Sequence, residues 1–173
     1  MCRFFSILFI VSLSVSQPAV AEEAPVLAQM PTLNQTHIVF VFSGDLWKVP
    51  RHGGAALRLT SSSGNEFYPK FSPDGSLIAF SGEYDGNMDV YLISAEGGIP
   101  KRLTWHPSAD IVLGWTPDGK EILFTSGRTA YSRFSELFTV SLEGGLPKKL
   151  RLPMGFEGSY SSDGGKIAYV PLS

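Results

Sequence analysis

From Thr36 onward, apolar and polar positions recur as a block. An Ile-x-aromatic strand appears as Ile38-Val39-Phe40, Ile78-Ala79-Phe80, Ile122-Leu123-Phe124 and Ile167-Ala168-Tyr169, at spacings of 40, 44 and 45 residues. After each of the first three comes an acidic-apolar-aromatic triplet: Asp45-Leu46-Trp47, Asp89-Val90-Tyr91 and Glu136-Leu137-Phe138. The triplets run on to Val49, Ile93 and Val140, the period-two alternation of strands. A double glycine follows at Gly53-Gly54, Gly97-Gly98 and Gly144-Gly145, supplying the positive φ that tight hairpins demand. Next is a basic strand (Leu57 to Thr60, Lys101 to Thr104, Lys148 to Arg151), and then an aromatic residue with a turn. The turns are Phe71-Ser72-Pro73-Asp74-Gly75, Trp115-Thr116-Pro117-Asp118-Gly119 and Tyr160-Ser161-Ser162-Asp163-Gly164. Proline presets φ, aspartate bonds its own backbone and glycine accepts the left-handed region.

A period near 40–45 residues, with four strands and no helix in each, predicts the blades of a β-propeller. The Ile-x-aromatic strands carry Val39, Ala79, Leu123 and Ala168 in the middle, so both faces are apolar. A sheet with one wet face would alternate apolar with polar. Blades stacked around an axis bury both faces, which favours a propeller over the alternative of a β-sandwich. The expected fold is all-β: a partial β-propeller of four-stranded antiparallel blades, about three repeats (36–76, 77–120, 121–165) and the start of a fourth (166–173). Residues 22–35, with Pro25 and Pro31, read as an extended leader. A closed ring needs about 4–8 blades, so the sequence is expected to be either a fragment of a longer protein or the product of a truncated gene. Open blade faces would then allow self-association.

The first residues follow another pattern. Arg3 precedes an apolar run from Phe4 to Val15, then Ser16-Gln17-Pro18 and the small-x-small site Ala19-Val20-Ala21. That is the layout of a secretory signal peptide over residues 1–21, cleaved after Ala21. The run is too short for a span of about 20 residues. The mature chain would start at Glu22 and be periplasmic or secreted. Cys2, the one cysteine, would leave with the signal, which excludes disulfides and cysteine chemistry from the mature chain. The formal net charge of -2 gives no footprint for nucleic acid. The run Lys148, Lys149, Arg151 reads as a charged edge strand that resists unwanted pairing.

The aromatic-Ser-Pro-Asp-Gly turn followed by Ile-Ala-Phe resembles the propeller repeat of TolB-type and tricorn-type proteins. Phe71 to Gly75 with Leu77 to Phe80 matches it closely, and Trp115 to Gly119 matches with Thr116 for serine. The third copy departs, with Ser162 for proline and an added Gly165. The stretch Ile38 to Trp47, with Val49-Pro50 and Gly53-Gly54, resembles the opening of the first propeller of tricorn-type serine peptidases, as does Tyr131 to Phe138. In that family the resemblance implies two propellers, a PDZ-like module and a serine peptidase core, with the propellers filtering peptides.

No catalytic residue is assigned. There is no G-x-S-x-G motif, and His37, His52 and His106 share no i,i+4 spacing. Asp85, Asn87 and Asp89 with Glu96 echo the ligand spacing of a calcium loop, but Val90 stands where that loop needs glycine. An Asp-Gly turn before a strand is the simpler reading, and no metal or cofactor is expected. Asn34-Gln35-Thr36 is a formal glycosylation sequon, read as chance. Trp47 and Trp115 fall on repeat positions and read as core, while Trp105 has no place in the repeat. The expected function is a non-catalytic propeller module of an exported tricorn-like serine peptidase, gating or binding peptides. A TolB-like protein-binding propeller and a gate ahead of an α/β-hydrolase core are the rivals. Partners would be peptides or proteins, with no membrane contact beyond the export signal.

Overall fold

In the computed structural model, residues 27–129 and 134–171 are described. The export segment with Cys2, and Tyr131 to Arg133 of the second family-like stretch, lie outside the described residues. Every regular element among the described residues is a strand. The first sheet runs β1 (Gln29–Leu33), β2 (His37–Phe42), β3 (Asp45–Pro50) and β4 (Leu57–Arg58). The second runs β5 (Asn65–Phe71), β6 (Leu77–Glu83), β7 (Met88–Ser94) and β8 (Lys101–Arg102). The third runs β9 (Asp110–Trp115), β10 (Glu121–Ser126), β11 (Glu136–Ser141) and β12 (Lys148–Lys149). The last pairs β13 (Gly155–Tyr160) with β14 (Ile167–Pro171). All pairings are antiparallel between chain neighbours, and β1, β5, β9 and β13 lie side by side in succession. The sheets are therefore blades around one axis, with the first strand of each innermost: a partial β-propeller.

The blades are out of phase with the sequence repeats by one strand. The segment ending in the aromatic-Ser-Pro-Asp-Gly turn closes a repeat in the sequence but opens a blade in space. The expected leader likewise contains β1, paired with β2 from Gln29↔Val41 to Leu33↔Ile38. The Ile-x-aromatic strands are the second strand of each blade and not the one at the axis. The innermost strands escape a period-two reading because each carries a bulge against its neighbour. Met30 and Tyr68, at two of these bulges, hold φ of 50° and 54°.

Alternation along the central strands builds the core. Ile78, Phe80, Tyr91 and Ile93 face the first blade and pack with Val39, Val41 and Leu46. Ala79, Val90 and Leu92 face the third, against Val112, Ile122, Phe124, Phe138 and Val140. Each fully buried side chain of this size contributes roughly 1.5–3 kcal/mol. The seam between blades is the main cohesive surface, as in other repeat folds.

Candidate functional site

At one end of the blades, the three Asp-Gly turns share one wiring. Ser72 Oγ donates to Asp74 Oδ1 at 2.6 Å, Ser76 N donates to the same oxygen at 3.1 Å, and Leu77 N donates to Ser72 Oγ at 3.0 Å. Thr116 with Asp118, and Ser161 with Asp163, repeat it at 2.7 and 2.6 Å. The third copy keeps this wiring although Ser162 replaces proline. These bonds hold the Asp74 carboxyl at about 2, with the Ser72 hydroxyl the largest cause and the Ser76 amide next. The turns stack from blade to blade. A Cβ on Gly119 would sit 3.5 Å from Pro73, and one on Gly164 would sit 3.4 Å from Pro117. In the first blade Asn34 does the work of the aspartate: its Oδ1 accepts from Thr36 N at 2.9 Å and His37 N at 2.8 Å. Its amide donates to Gly75 O at 3.2 Å, so the sequon asparagine is committed to the seam.

Between the first two blades these turns frame a cleft of about 800 Å³, within the range of small-ligand sites. The first blade contributes His37, Lys48 and Arg51, and the second contributes Ser72, Asp74 and Glu96. Lys48 is 8% exposed in its side chain, and its ammonium donates to Ala95 O at 2.7 Å and Glu96 at 3.1 Å. Arg51 reaches Asn34 O and Gln35 O only at 3.4 Å. A smaller cleft of about 520 Å³ occupies the matching place between the third and fourth blades, where Asp118, Glu121 and Asp163 are the charged lining residues.

Serine, histidine and aspartate all line the larger cleft, yet they form no relay. Ser72 bonds Asp74 directly, while His37 Nδ1 lies 2.8 Å from Thr36 Oγ1. A nucleophile needs its base within hydrogen-bond reach.

The sequence candidates divide. Asp85, Asn87 and Asp89 sit together at the start of β7, but Glu96 lies beyond its far end with Lys48. Asp89 is fully buried and held by Arg102 at 2.5 Å. Among the described residues no group of three His, Cys, Asp or Glu side chains is placed to hold a metal. The histidines fall in three places: His37 opens β2, His52 sits between β3 and β4, and His106 accepts from Ser108 N between β8 and β9. Trp115 is buried, and its indole donates to Lys70 O at 3.0 Å across the seam. Trp47 packs edge-on against Phe42 at 5.9 Å. Trp105 is 64% exposed with the Arg102 guanidinium 5.6 Å from its ring centre. Lys148 and Lys149 form the exposed edge strand β12, paired with Glu121 and Glu136.

Lys48 and Arg51 escaped the sequence reading, although a signal was there. Counted back from the double glycines, Lys48 occupies the place of Leu92 and Thr139, and Arg51 that of Ala95 and Leu142. Two cations stand where the other blades carry uncharged side chains.

Residues 25–173 match the family described as the tricorn protease N-terminal beta propeller domain. The tricorn protease homolog 1 of Streptomyces coelicolor is 34% identical over 123 residues, covering 70% of this chain and 11% of that protein. The tricorn protease homolog of Saccharolobus solfataricus is 30% identical over 131 residues, covering 72% of this chain and 12% of that protein. The chain thus spans about a tenth of the length of these relatives. Among solved structures, the tricorn protease superimposes with a TM-score of 0.71 at 24% identity, over 80% of this chain and 14% of that one. TolB from Acinetobacter baumannii gives 0.68 at 24% identity, over 83% and 37%.

Proposed function

Because the chain belongs to the tricorn protease N-terminal β-propeller family, we propose that it serves an exported tricorn-like serine peptidase as a non-catalytic module that binds peptides and gates their access. The observation that carries this reading is the cleft between the first two blades. It has the size of a ligand site, displays charge of both signs, and holds a serine, a histidine and an aspartate without a relay among them. Export rests on the apolar run Phe4 to Val15 and on Ala19-Val20-Ala21. Processing after Ala21 would deliver the propeller, beginning near residue 22, to the periplasm or the medium.

The test is calorimetric titration of the protein with a tryptic digest of casein and with intact folded proteins, beside a peptidase assay on the same digest. Saturable binding of peptides without cleavage is expected. Hydrolysis that follows the protein through purification and stops with a serine-directed inhibitor would overturn the non-catalytic assignment. Binding to a folded partner protein, with no affinity for peptides, would favour the TolB-like reading. N-terminal sequencing of exported material should begin at Glu22, and an intact Met1 would remove the export step.

A further inference from the structure

We infer that the cleft between the first two blades recognises short peptides by their two free ends, with the C-terminal carboxylate against Lys48 and Arg51 and the N-terminal ammonium against Asp74. This rests on the peptide-binding reading above and assigns its site. The argument begins with the charge on the two walls. On the first blade's wall the turn is two residues shorter than its counterparts and has Asn34 in place of an acid, so that wall carries no carboxylate. Its charged lining residues are Lys48 and Arg51, at the positions where the second blade has Leu92 and Ala95. The facing wall carries Asp74 and Glu96. Lys48 already reaches across to Ala95 O and Glu96, so the charged groups left facing a ligand from opposite walls are Arg51 and Asp74.

Each of these groups keeps capacity for a ligand. The Lys48 ammonium has three protons and uses two, on Ala95 O and Glu96. Its Glu96 partner is 83% exposed in its side chain, so water already weakens that pair, whereas Lys48 itself is more than nine-tenths buried. Burying an ammonium is costly unless its donors are used, and a carboxylate in the cleft would take the third. Arg51 has five donors and, among the described residues, makes the two long contacts to carbonyls. Asp74 stays ionised in any working buffer, because its carboxyl is held at about 2. Its Oδ1 is filled by Ser72 and the Ser76 amide, while Oδ2 accepts one bond, from Ser76 Oγ at 2.8 Å, and has room for another.

The ligand's size follows from the space. A cleft of 800 Å³ lies in the upper part of the range of about 300–1,000 Å³ for drug-sized ligands. A peptide of roughly three or four residues, at about 3.3–3.6 Å each when extended, is of that class. Such a ligand has the dimensions of what a peptidase releases and lacks the bulk of an intact protein. The matching cleft between the third and fourth blades carries acids but no lining Lys or Arg, so it lacks the carboxylate-binding wall.

The experiment titrates the protein at low salt with the tetrapeptide Ala-Ala-Leu-Ala in four forms: both ends free, N-acetylated, C-amidated and doubly blocked. Blocking either end should weaken binding about tenfold, the scale of one charge-assisted hydrogen bond. Arg51→Gln should bind the free peptide more weakly than the unmodified protein and should lose less on amidation, with Lys48 keeping the remaining part of the carboxylate contact. Asp74→Asn should do the same for acetylation. Its turn should hold, since Asn34 already fills that role in the first blade, and a melting curve checks this. Equal affinity for all four forms, or variants that bind the free peptide as tightly as the unmodified protein, would overturn the inference. A doubly blocked 15-residue peptide separates the two levels of the reading. If it binds while the tetrapeptides do not, peptide binding stands and this site assignment fails. If neither binds, the peptide-binding reading fails with it.

Discussion

Replacing Glu66 by alanine removes a buried carboxylate that joins the second blade to the first. Glu66 is fully buried, and among the described residues it is held by neutral hydrogen-bond donors and no salt bridge. Leu46 N of the first blade donates to Oε2 at 2.9 Å, and Thr60 Oγ1 donates to the same oxygen. On Oε1, Ser62 Oγ donates at 3.1 Å and Tyr84 OH at 2.5 Å. In Glu66→Ala, Leu46 N keeps Thr60 Oγ1 at 2.9 Å, and exposed Ser62 turns to water. The buried Thr60 hydroxyl and the half-buried Tyr84 hydroxyl lose their acceptor. At about 1–3 kcal/mol for each stranded donor, the expected loss is about 3 kcal/mol, a large part of a typical stability of about 5–15 kcal/mol. Glu66→Gln makes the sharper test. The amide oxygen can serve Leu46 N and Thr60, while the NH₂ faces Ser62 and Tyr84, whose hydroxyls can rotate to accept. The loss should then be only about 1 kcal/mol. Urea unfolding followed by tryptophan fluorescence measures both, with an unchanged m-value as the sign that the unfolding transition is the same. If glutamine costs as much as alanine, the negative charge itself stabilises this seam and the hydrogen-bond account is wrong. A loss below about 0.5 kcal/mol for alanine, no more than an ordinary surface change, would mean the network contributes nothing.

Acid should weaken the fold over a defined window. Asp74, Asp118 and Asp163 are lowered, each chiefly by a Ser or Thr hydroxyl, and Glu121 and Glu136 are lowered chiefly by Lys148 and Lys149. A carboxyl depressed in the folded state stabilises above its unfolded value, here 3.8 or 4.5, and that stabilisation is lost as pH falls through the folded value. The urea midpoint should therefore hold from pH 7 to 5 and fall steadily toward pH 2; a midpoint equal at pH 6 and pH 3 would contradict this. The turn column can be weighed by comparing Gly75→Ala with Gly86→Ala, since the two glycines share φ of 74° and 76°. A Cβ at 75 meets the Asn34 amide at 2.9 Å, while nothing lies within 4 Å of one at 86. Both should lose about 1–2 kcal/mol for left-handed backbone, with a further loss at Gly75, and equal melting temperatures would show that the turns do not brace one another.

The period, the turns and the two-faced central strands were legible because each is written in residues with little freedom of choice. Asp and Gly at a tight turn, and apolar residues on both faces of a strand between blades, leave few substitutes. The blade boundary was not legible, because the innermost strands are the least regular. Gln29-Met30-Pro31-Thr32-Leu33 has a proline and a bulge in five residues, so its polar and apolar positions do not alternate as a strand's should. The outer strands β4, β8 and β12 have two residues each, too few for a period to show. The cleft was hidden for another reason. Its walls come from four separate stretches, around residues 32–37, 48–51, 71–76 and 95–96, and no motif spans them. Only the misfit of Lys48 and Arg51 against the other repeats pointed there.

The same kind of misfit distinguishes one seam from the next. Glu66 and Asp110 hold equivalent places on β5 and β9, and Tyr84 and Arg128 hold equivalent places after β6 and β10, each 44 residues apart. In the second blade a phenol meets a glutamate; in the third a guanidinium meets an aspartate at 2.5 Å. The surroundings are alike: Phe80 stacks on Tyr91 and Phe124 on Phe138, both at 5.7 Å, and Tyr84 or Arg128 lies against the pair. The acid changes length along with its partner. Glutamate is long enough to reach back to Leu46 N of the preceding blade. Aspartate does not use both its oxygens, for Asp110 Oδ1 has no partner among the described residues. Exchanging Tyr84 and Arg128 alone would bring a guanidinium to Glu66, whose oxygens already accept from Leu46 N, Thr60 and Ser62, and would leave the buried Asp110 without its cation. The apolar faces differ less: Ile78 and Phe80 of the second blade recur as Ile122 and Phe124 of the third, each turned toward the preceding blade. Single polar positions where the repeat is broken thus distinguish one seam from the next, and the cleft between the first two blades lies at such a break, where Lys48 and Arg51 replace uncharged residues.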